Sequence, residues 1–210
     1  MEQRACECGC GGYPKGARSR FLPGHDARKQ RGHGAQLVPA NLDPPRSEST
    51  LVAAAGEYYV LSQLCLKGFI AALAPKGVPN TDIVVSDVQS RHLFSVQVKT
   101  RRDIGADKGW HMKPKHADLR RDSLFYCFVD FVEGPESRPV TYVVPSRVIA
   151  DVLSYVHPTW LAIPGKNGRE HRDSNVRRLV PDYSRYLGER CGQYGPGWLE
   201  CYREAWHLLK

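Results

Sequence analysis

Two short segments near the middle of the chain have the residue pattern of strands, and hydrophobic and polar positions alternate cleanly in the second of them. The first segment covers residues 81–87 and the second covers residues 92–100, with a polar turn between them. Both are rich in β-branched and aromatic residues, which favour strands. Because the side chains of a strand point alternately to its two faces, the second segment places Gln97 and Lys99 together, opposite its apolar residues. The pattern predicts two neighbouring strands, with two polar side chains projecting from the second.

Asp82 opens the first of these segments. If the two strands pair as a hairpin, the Asp82 carboxylate approaches Gln97 and Lys99, and three different polar groups converge near one strand end. Oxygen ligands hold Mg²⁺ in proteins, and an ammonium group can position a water molecule that attacks a phosphodiester. The set therefore suits metal-dependent hydrolysis. The alternative interpretation is an ordinary hairpin whose charged side chains face solvent.

A helix is predicted before the hairpin, from about residue 50 to residue 67, because apolar residues recur there at helical spacing. The predicted apolar stripe consists of Ala54, Tyr58, Leu61 and Cys65, flanked by Val60 and Leu64. Glu57 borders this stripe, where a carboxylate is costly unless it is paired or bound to a metal. Glu57 is therefore either a further residue of the site or the partner of a salt bridge or cap.

The remaining segments predict more strands and helices. Residues 124–132 form a nearly continuous apolar run, which is typical of an interior strand buried on both faces. Further strands are predicted over residues 69–73, 110–112, 141–144 and 160–164, and helices over residues 147–155, 183–187 and 198–209. Together these elements predict an α/β core with a mixed central sheet flanked by helices.

Three short motifs stand in this order of elements. They are the Gly-Glu pair at residues 56–57, the Asn-Thr-Asp run at residues 80–82 and the Gln-Val-Lys run at residues 97–99. Their placing resembles the PD-(D/E)XK nuclease superfamily over about residues 47–145. That superfamily includes archaeal-type Holliday-junction resolvases and Mrr-type restriction endonucleases.

The resemblance implies a restriction-endonuclease-like core and a catalytic set with a Mg²⁺ or Mn²⁺ cofactor. Asp82, the amide oxygen of Gln97 and the backbone carbonyl of Val98 would hold the metal. Lys99 would orient the attacking water, and Glu57 would complete the site. Most members carry Asp or Glu at the position of Gln97, although Mrr-like members resemble this chain in having Gln. Glutamine keeps an oxygen ligand but lacks the negative charge of a carboxylate.

Cys6, Cys8 and Cys10 cluster near the start of the chain, separated by one residue each. Clustered cysteines of an intracellular protein more often bind metal than form disulfides, and thiolates favour Zn²⁺. His25 is the candidate for the fourth ligand. The segment resembles small zinc-binding segments that precede nuclease-like domains. The alternative is an oxidation-prone tail without a metal.

These features predict three parts of the chain. Residues 1–35 form a basic zinc-binding module, residues 36–48 form a proline-rich linker, and residues 49–210 form the nuclease-like domain. No apolar run is long enough to span a bilayer, and the first residues do not resemble a secretion signal. We therefore expect a cytoplasmic protein. Because nucleases that cut both strands are commonly dimeric, a homodimer is one expected assembly.

The chain is basic, with a formal net charge of +8 over 210 residues. A basic protein of this size suits a polyanionic partner, and nucleic acid is the commonest. The residues expected to contact DNA phosphates are Arg18, Arg20, Arg28, Lys29, Arg101 and Arg102.

The sequence therefore predicts a metal-dependent endonuclease that hydrolyses DNA phosphodiester bonds, with Mg²⁺ or Mn²⁺ at the catalytic site and Zn²⁺ at the cysteines. Two alternatives stay open. The neutral side chain of Gln97 favours a DNA-binding protein that keeps the nuclease fold without cleavage. The cysteine cluster alone is also consistent with a zinc-stabilised interaction module.

Overall fold

A computed structural model describes residues 5–7, 11–15, 19–22, 49–102, 109–131 and 138–209. The chain divides into a unit of residues 1–46 and a unit of residues 47–210. The finer division into a zinc-binding module and a linker stays a prediction. In the described part of the chain, no helix is both long and apolar enough to cross a membrane.

The larger unit is built on a mixed sheet of five strands. Its strands are β1 (Ile70–Leu73), β2 (Ile83–Ser86), β3 (Leu93–Arg101), β5 (Leu124–Asp130) and β6 (Val140–Pro145), in the order β1-β2-β3-β5-β6. Strands β3 and β5 are parallel, and the other neighbours are antiparallel. A separate antiparallel pair is formed by β4 (Trp110–Met112) and β7 (Arg177–Leu179). The helices are α1 (Ser49–Leu66), α2 (Ser146–Leu161) and α3 (Ser184–Leu187).

The two faces of the sheet are covered by different layers. Strand β5 is buried along its whole length, as predicted. Its side chains alternate between two hydrophobic clusters, one on each face of the sheet. Phe125 packs in a cluster with Val60 and Leu64 of α1. Tyr126 packs in the other cluster, which contains the buried residues of α2 and α3. The predicted mixed α/β fold, with helices on both sides of the sheet, is confirmed.

Helix α1 buries a different stripe from the predicted one. Its buried residues are Gly56, Val60 and Leu64, whereas Tyr58 is 62% exposed and Cys65 is exposed. The reason is that apolar residues surround most of α1, so their spacing does not select one face. A close approach selects it instead, since a Cβ added at Gly56 would lie 1.9 Å from Oγ1 of Thr100 on β3. Glu57 therefore lies beside the closest contact between α1 and the sheet.

Helix α2 is longer than predicted and removes one predicted strand. It runs through Pro158 to Leu161, so the strand expected over residues 160–164 is wrong. Buried residues at helical spacing, Ile149, Leu153 and Val156, hold α2 on the sheet across this length. The predicted helix over residues 198–209 is replaced by short 3-10 turns.

Candidate functional site

Asp82 lies where the chain enters β2, beside the end of the paired part of β3. The register places Ile83 opposite Val96, so Asp82 stands opposite Gln97, as the hairpin predicted. The backbone N–H of Asp82 donates to the Val96 carbonyl at 2.9 Å. The N–H of Val98 donates to Oδ2 of Asp82 at 2.7 Å. The carboxylate is thus fixed against β3 through one oxygen, which leaves Oδ1 as the oxygen for a cation.

The backbone carbonyl of Val98 lies on the same side of β3. The N–H and C=O of a strand residue point to the same edge, and the N–H of Val98 points to Asp82. The ladder between β2 and β3 reaches only to Val96, so no residue of β2 pairs with Val98. The Val98 carbonyl therefore faces the edge at which the Asp82 carboxylate is held.

Gln97 is buried with one polar atom unmatched. Its side chain is 8% exposed, and Oε1 has no hydrogen-bond partner among the described residues. A buried acceptor without a donor costs about 1–3 kcal/mol, and a bound cation would remove that cost. The amide of Gln97 thus supplies an oxygen ligand but no charge.

Glu57 reaches the same site from α1. Burial raises the pKa of its carboxyl group, the negative charge of Asp82 raises the pKa further, and the ammonium of Lys99 opposes both. These interactions place Glu57, Asp82 and Lys99 within electrostatic reach of one another. Two carboxylates that repel each other create a site in which a divalent cation is favourable.

Lys99 supplies the only ammonium group of the predicted set. Burial lowers the pKa of Lys99, while the charges of Asp82 and Glu57 raise it. Among the described residues, its Nζ makes no hydrogen bond or ion pair, although the side chain is partly buried. The ammonium is therefore held in the site by the strand and is available to a substrate.

The residues present fit a hard divalent cation. Asp82 offers a carboxylate oxygen, Gln97 an unmatched amide oxygen and Val98 a carbonyl, and Mg²⁺ and Mn²⁺ both take such ligands. The described residues contain no group of three or more His, Cys, Asp or Glu placed to hold a metal. Any metal here would thus depend on the neutral oxygens as well as on the carboxylates.

Arg101 lies two positions beyond Lys99 on β3, and its side chain is engaged in contacts with other residues of the protein. Its Nε donates to Oδ2 of Asp130 at 2.8 Å, and its NH2 group makes a second, shorter contact with the same oxygen. The guanidinium also stacks on the Trp110 ring, 3.9 Å from its centroid. The expected contact of Arg101 with a DNA phosphate would require this ion pair to open. Arg102, the next residue, is half-buried.

The N-terminal unit is described in part. Cys6 is 4% exposed, and its Sγ accepts a hydrogen bond from the N–H of Leu22 at 3.3 Å. Arg20 pairs with Glu7 at 2.6 Å and is otherwise exposed. The other residues predicted there lie outside the described residues, namely Cys8, Cys10, Arg18, His25, Arg28 and Lys29. The zinc site therefore stays a prediction.

Sequence reasoning missed a set of basic residues beside the site. A cavity next to Gln97 and Lys99 is also lined by Lys113, Lys115 and His116. The available signal was the density of basic residues directly after β4, because basic residues that cluster near candidate catalytic groups favour phosphate binding.

The chain matches no protein-family model and no curated protein. Its structure is similar to I-Ssp6803I, a bacterial homing endonuclease, with a TM-score of 0.43 and 21% identity, covering 78% of this chain and 91% of that chain. It is also similar to Hjc of Archaeoglobus fulgidus, an archaeal Holliday junction resolvase, with a TM-score of 0.35 and 15% identity, covering 61% and 83%.

Proposed function

We propose that the protein is a metal-dependent endonuclease of the PD-(D/E)XK superfamily that hydrolyses DNA phosphodiester bonds. One observation carries the proposal. The Asp82 carboxylate is fixed by the Val98 N–H at 2.7 Å, and the residue before Val98, Gln97, buries an amide oxygen that has no partner among the described residues. Lys99 and Glu57 lie within electrostatic reach of that carboxylate. An ordinary solvent-facing hairpin has no reason to bury an acceptor without a donor beside two acids and an ammonium group.

The residues divide the chemistry between them. Asp82, Gln97 and the Val98 carbonyl would hold Mg²⁺ or Mn²⁺, which when bound supplies a Lewis acid for the phosphate oxygens. Lys99 donates hydrogen bonds to the attacking water and to the oxygens that gain charge as the phosphorus becomes pentacovalent. Glu57, whose pKa is raised, is a stronger proton acceptor than an ordinary glutamate. Water adds to phosphorus and gives its proton to the Glu57 carboxylate, while the bridging P–O bond breaks and the leaving oxygen takes a proton from solvent water.

Cleavage assays test this proposal directly. Supercoiled plasmid and branched DNA are incubated with the full chain in Mg²⁺ or Mn²⁺. We expect cleavage that is lost in Asp82→Ala and Lys99→Ala. The matched control is Asp122→Ala, because the Asp122 side chain is 99% exposed and makes only a 3.7 Å contact with Arg147. Equal cleavage by Asp82→Ala and the control would refute the assigned site.

A second candidate function follows from the uncharged Gln97. A glutamine in place of a carboxylate lowers the affinity of the site for a cation. The protein would then keep the nuclease fold and bind DNA without cutting it. Salt-sensitive DNA binding by the parent, with no cleavage in either metal, supports this candidate. Gain of cleavage in Gln97→Glu would identify the missing charge as the cause. If the protein does not bind DNA at low salt, the zinc-stabilised interaction module is the remaining candidate function.

A further inference from the structure

A cavity of about 270 Å³ opens beside the candidate catalytic residues. Its charged and polar lining includes Lys99, Lys113 and Lys115, with His111 and Asn175. No carboxylate of the described residues lines it. At about 30 Å³ per liquid water molecule, its volume corresponds to roughly nine waters, which is ample for a phosphate group. The cavity is therefore polar, cationic and large enough for an anion.

The three ammonium groups act on each other across this cavity. Lys99, Lys113 and Lys115 all line the same cavity. Burial lowers the pKa of His116 to about 4, and Lys99, Lys115 and Lys113 contribute to that shift. The imidazole is thus neutral at physiological pH. The free protein concentrates positive charge here, and an anion in the cavity would relieve the repulsion.

The lysines are carried by a turn that His116 holds in place. The turn is the short 3-10 helix Pro114–Ala117, and the N–H of Lys113 donates to Nδ1 of His116 at 3.2 Å. The His116 side chain is 2% exposed, and its ring packs edge-on to Tyr126 of β5 with centroids 5.7 Å apart. Lys113 and Lys115 themselves are exposed. A buried neutral anchor therefore presents two exposed cations at the cavity.

We propose that this cavity binds a second backbone phosphate of the DNA substrate, next to the phosphate that is cut, with Lys113 and Lys115 as its ligands. The inference rests on the proposed function, because Gln97 and Lys99 belong both to the cavity wall and to the catalytic set. Apart from Gln97 at its border with the metal site, the described lining offers three ammonium groups and no acid, which favours an anion. Binding there would fix the register of the strand relative to Asp82, since phosphate contacts position DNA without reading its sequence.

The test is DNA binding by the double variant Lys113→Ala/Lys115→Ala, measured by fluorescence anisotropy with Ca²⁺ in place of Mg²⁺. We expect binding about tenfold weaker at moderate salt, with a slope of affinity against salt that is shallower by about 1 for the lost phosphate. The control is Lys67→Ala/Lys76→Ala, which removes the same charge at exposed positions outside the cavity. If both double variants lose the same DNA-binding affinity, the effect reflects only the net charge of the protein, and the proposal is overturned.

A duplex series with one neutral methylphosphonate linkage each locates the phosphate. In the parent, one neutral linkage near the cleaved bond should weaken binding, and the same linkage should have no effect in Lys113→Ala/Lys115→Ala. If the losses of binding caused by the neutral linkage and by the double variant simply add, the inference about the cavity is wrong. Plasmid cleavage that depends on Asp82 would still support the proposed nuclease activity. Failure of the parent to bind DNA at low salt would overturn both.

Discussion

Lys99 and Arg101 are two cations on the same face of β3, separated by one residue, and they are treated differently by the fold. Arg101 is bound through its Nε to Asp130 at 2.8 Å and stacks on Trp110 at 3.9 Å. Lys99 makes no hydrogen bond or ion pair with the described residues, and burial lowers the pKa of its ammonium group. Arg101 has a carboxylate partner within the protein, and Lys99 has no fixed partner among the described residues.

The difference separates a charge that is paired within the fold from one that is the candidate for contact with a substrate. A buried charge without a fixed partner is unfavourable for folding, and proteins keep such groups mainly at sites where they act on a substrate. A paired and stacked guanidinium fixes the packing of β3 against β5 and β4 instead. The comparison predicts that stability and activity respond in opposite ways at these two neighbouring positions.

The largest expected effect is a loss of stability on removing the partner of Arg101. Asp130 is 5% exposed, so Asp130→Asn leaves a buried guanidinium without its counter-charge. We expect the free energy of unfolding to fall by about 3–5 kcal/mol, the range found when a buried ion pair loses one member. Urea denaturation measures it, with Asp122→Asn as the exposed control. A loss as small as that of the control would show that the pair does not hold the sheet together.

Lys99→Met is expected to have the opposite result. Removing the ammonium takes away stabilisation of the charged transition state, which is worth about 100–1,000-fold in rate. The free energy of unfolding should stay the same or rise, because a desolvated charge is replaced by an apolar chain of similar length. Plasmid cleavage and urea denaturation measure the two quantities on the same preparation. Lys76→Met, at an exposed position, should change neither. Loss of stability in Lys99→Met would place Lys99 in the same class as Arg101.

The contrast between the two cations was only half predictable from sequence. Alternation along β3 was enough to place Gln97 and Lys99 on one face, and pairing with the preceding strand brought Asp82 opposite Gln97. The partner of Arg101 lies 29 residues away, on a parallel strand whose register aligns Arg101 with Asp130. A local pattern contains no information about that register, because a parallel neighbour is joined by a long crossover connection.

The orientation of α1 was unpredictable for a related reason. Its apolar residues are spread around the helix, so periodicity selected Tyr58, which is 62% exposed, rather than Gly56. The contact that decides the orientation involves Thr100 of β3, which is distant in sequence. Glu57 is nevertheless partly buried beside Gly56, so it borders the buried face although the predicted stripe itself was different.

Gly56→Ala is expected to have an intermediate effect. The new Cβ would meet Oγ1 of Thr100 at 1.9 Å and must push α1 away from β3. Overpacking of this kind costs about 1–3 kcal/mol, measured by urea denaturation. Cleavage should fall as well, since Glu57 moves with the helix, while the Arg101 pair does not depend on α1.

A double-mutant cycle with Thr100→Ala provides the control for this contact. That change removes Oγ1 and leaves the Cβ of Thr100, which is 3.0 Å from the added methyl group. We expect the cost of Gly56→Ala to be smaller in the Thr100→Ala background, because residues in contact are coupled. Strictly additive costs would mean that helix propensity, rather than the close approach, governs the effect of the substitution.

The smallest effect extends the comparison to the two carboxylates, Asp130 and Glu57. Burial and the charge of Asp82 raise the pKa of Glu57 above its ordinary value of 4.5. Between the ordinary and the raised pKa, the folded chain keeps a proton that the unfolded chain has lost, so this group makes stability fall as pH rises through that window.

Glu57→Gln has no such proton to lose. Its stability relative to the parent should therefore increase from acidic to neutral pH and then level off, in urea denaturation followed at several pH values. The exposed Glu189→Gln should show no such pH-dependent gain. A Glu57→Gln variant that lost stability towards neutral pH would mean that Glu57 is paired like Asp130, and that the ionised carboxylate contributes to folding rather than to the site.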